Sequence, residues 1–278
     1  MMINTNVASL EAQRNLSETQ TSLQKNISHL SSGMRITQGA DDAAGLGISE
    51  KLKAQIKGYQ QAQRNANDGV SMIQVAEGAM NQQAGILTRL RELAVQSANG
   101  TLGANERGFI DTEANQMIQE LDRISAVTSF NGTNMLSTGA AVSMQVDINA
   151  TANDTISVAF SKTDSTTLGV KYGVGNDVDL ATSAATAQAA LAKIDTAINT
   201  LSTSRASVGA SQNRLQVTVA NLASASENAA AANSRIRDVD VAEESAQLTR
   251  NQVLSQAGVA VLSQANNIPQ SALKLLQG

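Results

Sequence analysis

The sequence predicts a mainly α-helical fold, an elongated bundle of long heptad-patterned helices with a small β-hairpin region and with its N- and C-terminal helices paired. The first observation is a frame of alternating four- and three-residue steps from Ala187 to Ile236, which is typical of one helix with one seam. About fifty helical residues extend roughly 75 Å, too far for a compact globule of this chain length. The second observation is a change to a period of two near residues 144–160, which indicates strands.

Composition narrows the class of protein. Hydrophobic residues make up 42% of the 278 residues, with no cysteine or tryptophan, two tyrosines and three phenylalanines, so the core must be aliphatic and thin. Charged residues make up 16%, below the roughly 25% usual in soluble domains, and a net charge of -4 argues against nucleic acid as a partner. No apolar run approaches the ~18 residues of a membrane span, and the first residues lack a basic leader followed by an apolar run. We therefore expect any export to use a route without a cleaved signal.

The N-terminal half is predicted to hold helices joined by short polar segments. A helix over about residues 5–33 is followed by a connector, in which Asp41 or Asp42 would cap the next helix by accepting its free N–H groups. That second helix covers about residues 43–98, and a third covers about residues 105–128. Glycines inside the second helix, each costing up to ~1 kcal/mol against alanine, predict a break or close packing there. These glycines are Gly58, Gly69, Gly78 and Gly85.

The rest of the chain is predicted to be a hairpin followed by two helices. Apolar residues alternate in two short segments across a polar turn, which favours a β-hairpin. The alternating residues are Met144, Val146 and Ile148, then Ile156, Val158 and Phe160. Residues 161–182 are predicted to be loop or short strand, before the long helix begins. After Arg237 a last helix runs to the end, and Asp240 with Glu243 resembles a capping box at its start.

Candidate catalytic and metal-binding residues are few. His29 is the single histidine of the chain and there is no cysteine, so the convergent ligands of a metal site are missing. No G-x-S-x-G elbow occurs, and Gly45 and Gly47 form a G-x-G pair without the third glycine of a dinucleotide fingerprint. We therefore predict that the protein is not an enzyme and that it uses no metal or other cofactor.

Strings at both ends of the chain resemble bacterial flagellin, in the order in which that family carries them. They are INTNVASLEAQRNL, LSSGMRI, DDAAGLGIS, RNANDGVSMIQVAEGAM, RLRELAVQSANGT, SFNGTNML, GASQNRL, ENAAAANSRIRDVDVAEE, TRNQVLSQAG and QANNIPQSALKLL. Together they cover most of residues 3–136 and about residues 190–277. The resemblance implies a structural subunit that polymerises into the bacterial flagellar filament for swimming motility. It also implies a short form that lacks the large outer domains, because only about residues 137–182 remain for them.

The resemblance implies two domains. Residues 1–42 and 238–278 would pair as a terminal coiled-coil domain that forms an inner tube, and residues 43–237 would form a helical rod with the β-hairpin at about 137–182. Apolar frame positions at the two ends are then predicted to form the polymerisation seam. These positions are Leu16, Leu23, Ile27, Leu30, Leu254, Val261, Ile268 and Leu275.

The resemblance also implies partners and a location. Members of the family leave the cell unfolded through the flagellar type III apparatus, with the help of an export chaperone. They polymerise beneath a cap protein, beyond the hook-filament junction proteins. We therefore expect a secreted protein of the extracellular flagellar filament, with the chaperone contact within about residues 239–277. We expect neither a nucleic-acid partner nor insertion into a membrane.

Recognition by the host Toll-like receptor 5 is a further implication. The matching string begins at Leu87, and the residues carried over are Arg89 and Leu93, with Glu113 on the opposite side of the contact. Thr88 departs from the glutamine that the family often has at this position. Without the resemblance, the pattern would make Leu93 a seam residue and Arg89 a solvated one.

Two alternatives remain at this stage. A hook-filament junction protein shares terminal motifs with flagellin, although the string RLRELAVQ and the C-terminal strings favour flagellin itself. A coiled-coil signalling adaptor would share the long heptad frame. Such a rod needs neither a β-hairpin nor matching ends, and this chain has both.

Overall fold

The computed structural model describes residues 5–139, 141–149, 151–172 and 177–277, with side chains up to residue 267 in the last helix. Its helices are α1 (Val7–Ser32), α2 (Ala43–Ser97), α3 (Ala104–Val127), α4 (Ser165–Leu168), α5 (Ala184–Arg237) and α6 (Val241–Gln277). Its strands are β1 (Ser129–Phe130), β2 (Thr133–Asn134), β3 (Ala141–Gln145) and β4 (Thr155–Ala159). The predicted class, mainly α with a small hairpin region and with the terminal helices paired, is confirmed.

The predicted long helix is confirmed as α5. Every position of the frame from Ala187 to Ile236 is buried or half-buried. The helix begins three residues before that frame because Ser183 and Thr186 form a reciprocal cap. The Thr186 N–H donates to Ser183 Oγ over 3.2 Å, and the Ser183 N–H donates to Thr186 Oγ1 over 3.1 Å.

The described residues divide into two compact units. The terminal unit takes the described residues of Met1–Ile56 and Glu227–Gly278, and the middle unit takes those of Lys57–Ser226. In the terminal unit α1 packs antiparallel on α6. The helix α1 ends at Ser32 and is capped by Gly33, whose φ of 69° is left-handed. The Val239 N–H donates to the Gly33 carbonyl over 3.1 Å.

The middle unit has an aliphatic core between its helices and the hairpin. Fully buried side chains include Ile73 and Leu90 of α2, Ile118 of α3, Val158 of β4 and Ile194 of α5. This matches the composition, in which aromatic residues are scarce. Burial of branched aliphatic side chains, at about 25 cal/mol per Å², is the main stabilising term in such a core.

The β-hairpin is confirmed, with β3 and β4 antiparallel. Its first strand ends at Gln145, before the predicted Ile148, because a capping box turns the chain. The Asp154 carboxylate accepts hydrogen bonds from the N–H and the hydroxyl of Thr151, over 2.7 and 2.6 Å. The strand therefore stops where these side chains bind the turn.

Two short elements were not predicted. A β-turn joins β1 to β2 with Asn131 at φ 48° and Gly132 at φ 78°, the Asn-Gly combination that favours tight hairpins. The segment predicted as loop or short strand contains the one-turn helix α4. Asp164 caps it by accepting from the Thr167 N–H over 3.2 Å, and Gly169 ends it at φ 72°.

None of the four glycines predicted to break α2 or to pack closely breaks the helix, which is continuous, and two of them mark close packing. A Cβ built on Gly58 would lie 2.5 Å from Ile148 Cγ2, and one on Gly69 would collide with Met144 Sδ. Gly78 and Gly85 face open space. The hairpin therefore lies against α2 at two positions where an added methyl group would require a neighbouring side chain to shift.

Candidate functional site

The face on which α1 meets α6 is a heptad seam of mixed polarity, called here the α1–α6 seam. Its α1 positions are Ala12, Leu16, Thr19, Leu23, Asn26 and Leu30, and its α6 positions are Leu248, Asn251, Ser255, Gly258, Leu262 and Ala265. Leu16 packs where α6 has no side chain, since a Cβ on Gly258 would lie 3.2 Å from Leu16 Cδ1. Near the other end of the pair, Asn6 Nδ2 donates to the Ala265 carbonyl over 2.8 Å.

The structure places the predicted seam residues on different faces. Leu16, Leu23 and Leu30 are half-buried in the α1–α6 seam. Three other predicted residues point away from the partner helix, with exposed fractions of 51% for Ile27, 50% for Leu254 and 58% for Val261. The side chains of Ile268 and Leu275 lie outside the described residues.

The sequence pattern does not predict the face of α6 that contacts α1, because most of the side chains on this face are small or polar. Periodicity analysis favours the bulky frame of Leu254 and Val261. The face used in pairing contains Leu248 and Leu262, fourteen residues apart, with Ser255 between them. The heptad spacing of these three residues is the sequence pattern from which this face could be predicted.

Apolar side chains on the outer faces of both helices stay exposed after α1 and α6 have paired; they are called here the outer apolar residues. They are Val7, Leu10 and Ile27 of α1, with Val253, Leu254, Val259 and Val261 of α6. Single exposed apolar residues are ordinary, but many on two adjoining helices mark an interaction surface.

Ionisable side chains from three segments meet beside the C-terminal end of α1; they are called here the polar cluster. Its members are Lys25 and His29 of α1, Asp41 of the connector and Glu244 of α6. His29 Nδ1 donates to Glu244 Oε1 over 3.1 Å, and its Nε2 lies 3.8 Å from Asp41 Oδ2. Both the His29 and the Asp41 side chains are more than nine-tenths buried, at 8% and 5% exposure.

Asp41 is the most strongly held carboxylate of the polar cluster. Lys25 Nζ lies 2.9 Å from its Oδ1, and the Thr37 N–H, the Thr37 hydroxyl and the Gln38 N–H donate to its Oδ2. The Lys25 ammonium, followed by these hydrogen bonds, holds the pKa of Asp41 far below its usual range although burial opposes the shift. Of the two aspartates predicted to cap α2, Asp42 is the cap, since its Oδ1 accepts from the Gly45 N–H over 2.9 Å.

Arg237 joins the end of α5 to the start of α2 within the terminal unit. Its Nη1 donates to Glu50 Oε1 over 2.8 Å, and its Nε donates to Met34 Sδ over 3.1 Å. The Arg237 guanidinium, followed by Lys53, lowers the pKa of Glu50. The backbone adds to this junction, because the Arg35 N–H donates to the Arg237 carbonyl over 2.6 Å.

The residues predicted for receptor recognition lie in the middle unit. Arg89 Nε and Nη2 both donate to Glu113 Oε1, over 3.1 and 2.8 Å, and Nη1 donates to Glu92 Oε2 over 2.9 Å. Glu113, followed by Glu92, raises the pKa of Arg89 above its ordinary value. The three charged side chains are exposed on α2 and α3, whereas Leu93 is 1% exposed and belongs to the core. A substitution at Leu93 would therefore act first on packing.

Among the described residues, no group of three or more histidine, cysteine, aspartate or glutamate side chains could hold a metal ion. None of the helices in the described part of the chain has an apolar stretch long enough to cross a bilayer.

These features define a class of protein: a helical structural subunit whose terminal helices pair and still present apolar side chains to a further partner. Comparison with known proteins narrows the class. The chain matches the model of the bacterial flagellin N-terminal helical region over residues 3–141 and that of the bacterial flagellin C-terminal helical region over residues 191–276. It is 42% identical over 286 residues to flagellin FlaB2 of Treponema pallidum, and 43% identical over 287 residues to the flagellar filament 33 kDa core protein of Treponema phagedenis. In both comparisons the match covers 100% of each chain.

The chain belongs to the bacterial flagellin family, whose members are structural subunits that polymerise into the flagellar filament. Its fold is shared more widely. A solved structure described as a flagellar hook-associated protein of Vibrio parahaemolyticus has a TM-score of 0.59 at 13% identity, over 71% of this chain and 100% of that one. At that identity the likeness concerns the fold alone, and the full-length identity to flagellins decides the family.

Proposed function

We propose that this flagellin is exported unfolded through the flagellar type III apparatus and adds to a helical filament outside the cell that drives swimming. The observation that carries the proposal is the set of outer apolar residues, which stay exposed on a helix pair that has already formed. Burying them requires another molecule. A second copy of the chain, adding by a repeated heterologous contact whose rotation does not close, produces an open helical polymer.

The predicted polymerisation seam then has two parts. Ile27, Leu254 and Val261 would be buried between subunits. Leu16, Leu23 and Leu30 would support them by holding α1 on α6 within one subunit. For Ile268 and Leu275 the assignment to the seam stays a prediction.

The two predicted domains and the remaining partners belong to the same proposal. Residues 1–42 with 238–278 would form the inner tube, and residues 43–237 would form the rod around it. The export chaperone would bind within about residues 239–277 before assembly, and growth would take place between the cap and the hook-filament junction proteins. The antiparallel contact of α1 with α6 supports the pairing of these termini.

Negative-stain electron microscopy after seeding or salt-induced polymerisation tests the proposal. The full chain should form long filaments, and a variant lacking residues 239–278 should not, because it has lost α6 and with it four of the seven outer apolar residues. Filaments of equal length from both chains would contradict a polymer held by its terminal helices. Discrete rods or dimers from both would favour a coiled-coil adaptor instead.

A second function rests on the exposed ion pairs of Arg89. We propose that Arg89 and Glu113, with Glu92 beside them, form a surface that Toll-like receptor 5 contacts. The structure holds the guanidinium between two carboxylates, so that it offers a fixed arrangement of charge on α2 and α3. Leu93 lies in the core beneath this segment and would act by keeping α2 in place.

A receptor-reporter cell assay with purified variants tests this second function. Arg89→Ala should lower potency by about tenfold, the effect of losing roughly 1.4 kcal/mol of binding free energy. Arg123→Ala is a matched control, since Arg123 makes an exposed pair with Glu120 on α3 at 2.6 Å. Equal potency of both variants and the parent would rule out a role for Arg89. Leu93→Ala is interpretable only when its circular dichroism matches that of the parent.

A further inference from the structure

The loop between α2 and α3 contains one of the two Asn-Gly pairs of the chain, Asn99-Gly100. The other pair, Asn131-Gly132, lies in the turn between β1 and β2. In such a pair the side-chain carbonyl carbon of asparagine is open to attack by the next main-chain nitrogen, because glycine has no side chain that blocks the approach. Both asparagines are exposed to water. The two pairs therefore share their covalent chemistry and differ in their surroundings.

The side chain of Asn99 is folded back along its own main chain. Its Oδ1 accepts a hydrogen bond from the Thr101 N–H over 3.2 Å, which closes an Asx turn. Because this turn spans Gly100, it brings the side-chain carbonyl carbon of Asn99 beside the Gly100 nitrogen. Apart from the chain neighbours of Gly100, no heavy atom of the described residues lies within 4 Å of a Cβ built on it. The Thr101 N–H therefore points at the oxygen on which negative charge would develop during an attack on this carbon.

The main-chain carbonyl of Asn99 accepts two hydrogen bonds. One comes from Arg107 Nη2 over 3.1 Å, and the other comes from the Leu102 N–H over 3.3 Å. Arg107 is fixed by a further bond, in which its Nε donates to the Ser97 carbonyl over 3.0 Å. A peptide nitrogen that loses its proton shares its negative charge with the carbonyl oxygen of the same peptide group. The guanidinium and the Leu102 N–H therefore stabilise the deprotonated form of the Gly100 nitrogen.

We propose that Asn99 is a site of spontaneous deamidation and that the α2–α3 loop accelerates the reaction. The Gly100 nitrogen gives its proton to hydroxide from the solvent and attacks Asn99 Cγ, which forms the new C–N bond of a five-membered ring. The Thr101 N–H stabilises the oxyanion at Oδ1. The bond from Cγ to the side-chain nitrogen then breaks, and this nitrogen takes a proton from water and leaves as ammonia.

The ring product at Asn99 is a succinimide, which water opens. Water adds to one of the two ring carbonyls and breaks its bond to the Gly100 nitrogen, giving aspartate or isoaspartate. The overall change consumes one water and releases one ammonia, with no oxidation or reduction. In the isoaspartate product the former main-chain carbonyl becomes a carboxylate, and it faces the Arg107 guanidinium that already binds this carbonyl. The loop lies in the middle unit, so the proposal does not depend on the terminal helices, on filament formation or on receptor binding.

Asn131 is an internal control. Its φ of 48° and the φ of 78° at Gly132 belong to a tight hairpin turn that fixes both residues. Among the described residues none donates a hydrogen bond to the Asn131 side chain. Asn131 therefore lacks the donor that stabilises the oxyanion at Asn99.

Mass spectrometry of the purified full-length chain, incubated at constant pH and temperature in heavy-oxygen water and digested at acidic pH, measures deamidation at both sites. Oxygen incorporated from the water separates conversion during incubation from conversion during digestion. A synthetic peptide of residues 92–107 reports the same Asn-Gly pair without the fold. Asn99 should react about tenfold faster in the chain than in the peptide, and faster than Asn131. A rate at Asn99 equal to or below that of the peptide would overturn the proposal, because the loop would then protect the residue. An equal or faster reaction at Asn131 would overturn it too.

Variants at Arg107 test the role of its charge. Arg107→Leu should slow the reaction at Asn99 by at least about threefold, because the deprotonated Gly100 nitrogen loses a charged donor. Arg123→Leu is the matched control, since Arg123 lies on the same helix in an exposed pair with Glu120, and it should keep the parent rate. Arg107→Lys retains a positive charge and should stay within about twofold of the parent. An unchanged or faster reaction in the leucine variant, or a loss in the lysine variant as large as that in the leucine variant, would contradict this role.

Discussion

Asp41 shows how much one side chain organises in the terminal unit. Its carboxylate is bound by Lys25 of α1 and by the backbone and side chain of Thr37, and it lies beside His29. Buried carboxylates are stable in folded proteins only when their charge is compensated and hydrogen-bonded, and Asp41 meets both conditions. The connector between α1 and α2 is therefore held by charge and hydrogen bonds as much as by apolar packing.

Replacing Asp41 should destabilise the terminal unit. We expect Asp41→Asn to lower the free energy of unfolding by about 1–3 kcal/mol, because Lys25 and several donors lose a charged acceptor. Urea unfolding followed by circular dichroism measures this change. Asp68→Asn, at an exposed position of α2, is the control and should leave the unfolding midpoint within error. Equal midpoints for both variants would contradict the role given to Asp41.

The depressed pKa of Asp41 also predicts a pH dependence. Because the folded-state pKa lies below the unfolded value near 3.9, the stability contributed by Asp41 is fully present above about pH 4. It is lost as the pH falls from there towards the folded-state pKa. Thermal unfolding between pH 5 and pH 2 should therefore show a steeper loss for the parent than for Asp41→Asn. Parallel curves for the two proteins would contradict this assignment.

At the scale of elements, α2 shows how a helix and a hairpin fit together. Gly69 faces Met144 of β3 and Leu215 of α5 so closely that an added methyl group would force one of these side chains to move. Gly78, nine residues further along the same helix, faces open space. Glycine thus allows close packing at position 69, whereas at position 78 it only lowers the stability of the helix relative to alanine.

This difference predicts opposite effects of one substitution. Gly69→Ala should lower the stability of the middle unit by about 1–3 kcal/mol, because the added methyl group must displace Met144 or Leu215. Gly78→Ala should raise stability by up to about 1 kcal/mol, because alanine is the better helix former. Differential scanning calorimetry of the two variants measures both effects. A stabilising Gly69→Ala would show that the hairpin can move away from α2.

At the scale of the whole molecule, the two units differ in where they place their charged and apolar side chains. The middle unit buries a continuous aliphatic core and presents ion pairs such as Arg89–Glu113 at its surface. The terminal unit buries a mixed seam and leaves apolar side chains outside. A flagellin must stay folded and must also bind copies of itself. In this chain the middle unit buries its apolar core within a single subunit, whereas the terminal unit leaves apolar side chains exposed.

Substitution of two outer apolar residues should affect assembly and not folding. Leu254→Gln with Val261→Gln removes side chains that are about half exposed, so each would lose about 1 kcal/mol of burial in a filament. The critical concentration for polymerisation should then rise roughly 30-fold. Sedimentation of polymer against monomer concentration measures it. Leu16→Ala is the comparison, since it should lower the thermal stability of the monomer, whereas the glutamine variant should leave it unchanged.

Much of the fold was predictable because local patterns repeat over long stretches. The frame from Ala187 to Ile236 belongs to one continuous helix, and the alternation around Met144 and Val158 belongs to the hairpin. The turn at Asn131 and the cap at Asp164 create short elements that periodicity does not detect, since each depends on one or two residues.

The sequence by itself determined the helices, the hairpin and the flagellin family. These follow from periodicity and from strings of residues, and neither depends on which other segment of the chain packs against them. Only the tertiary structure decided which face of each terminal helix is used. A helix with apolar residues on several faces can pair through any of them, and the free energy of each choice depends on the side chains of the other helix. In this chain α6 binds α1 through the face that contains Gly258 and Glu244, and not through the bulkier face that contains Leu254. On the face that is used, Leu16 packs against Gly258, and the buried imidazole of His29 pairs with the Glu244 carboxylate.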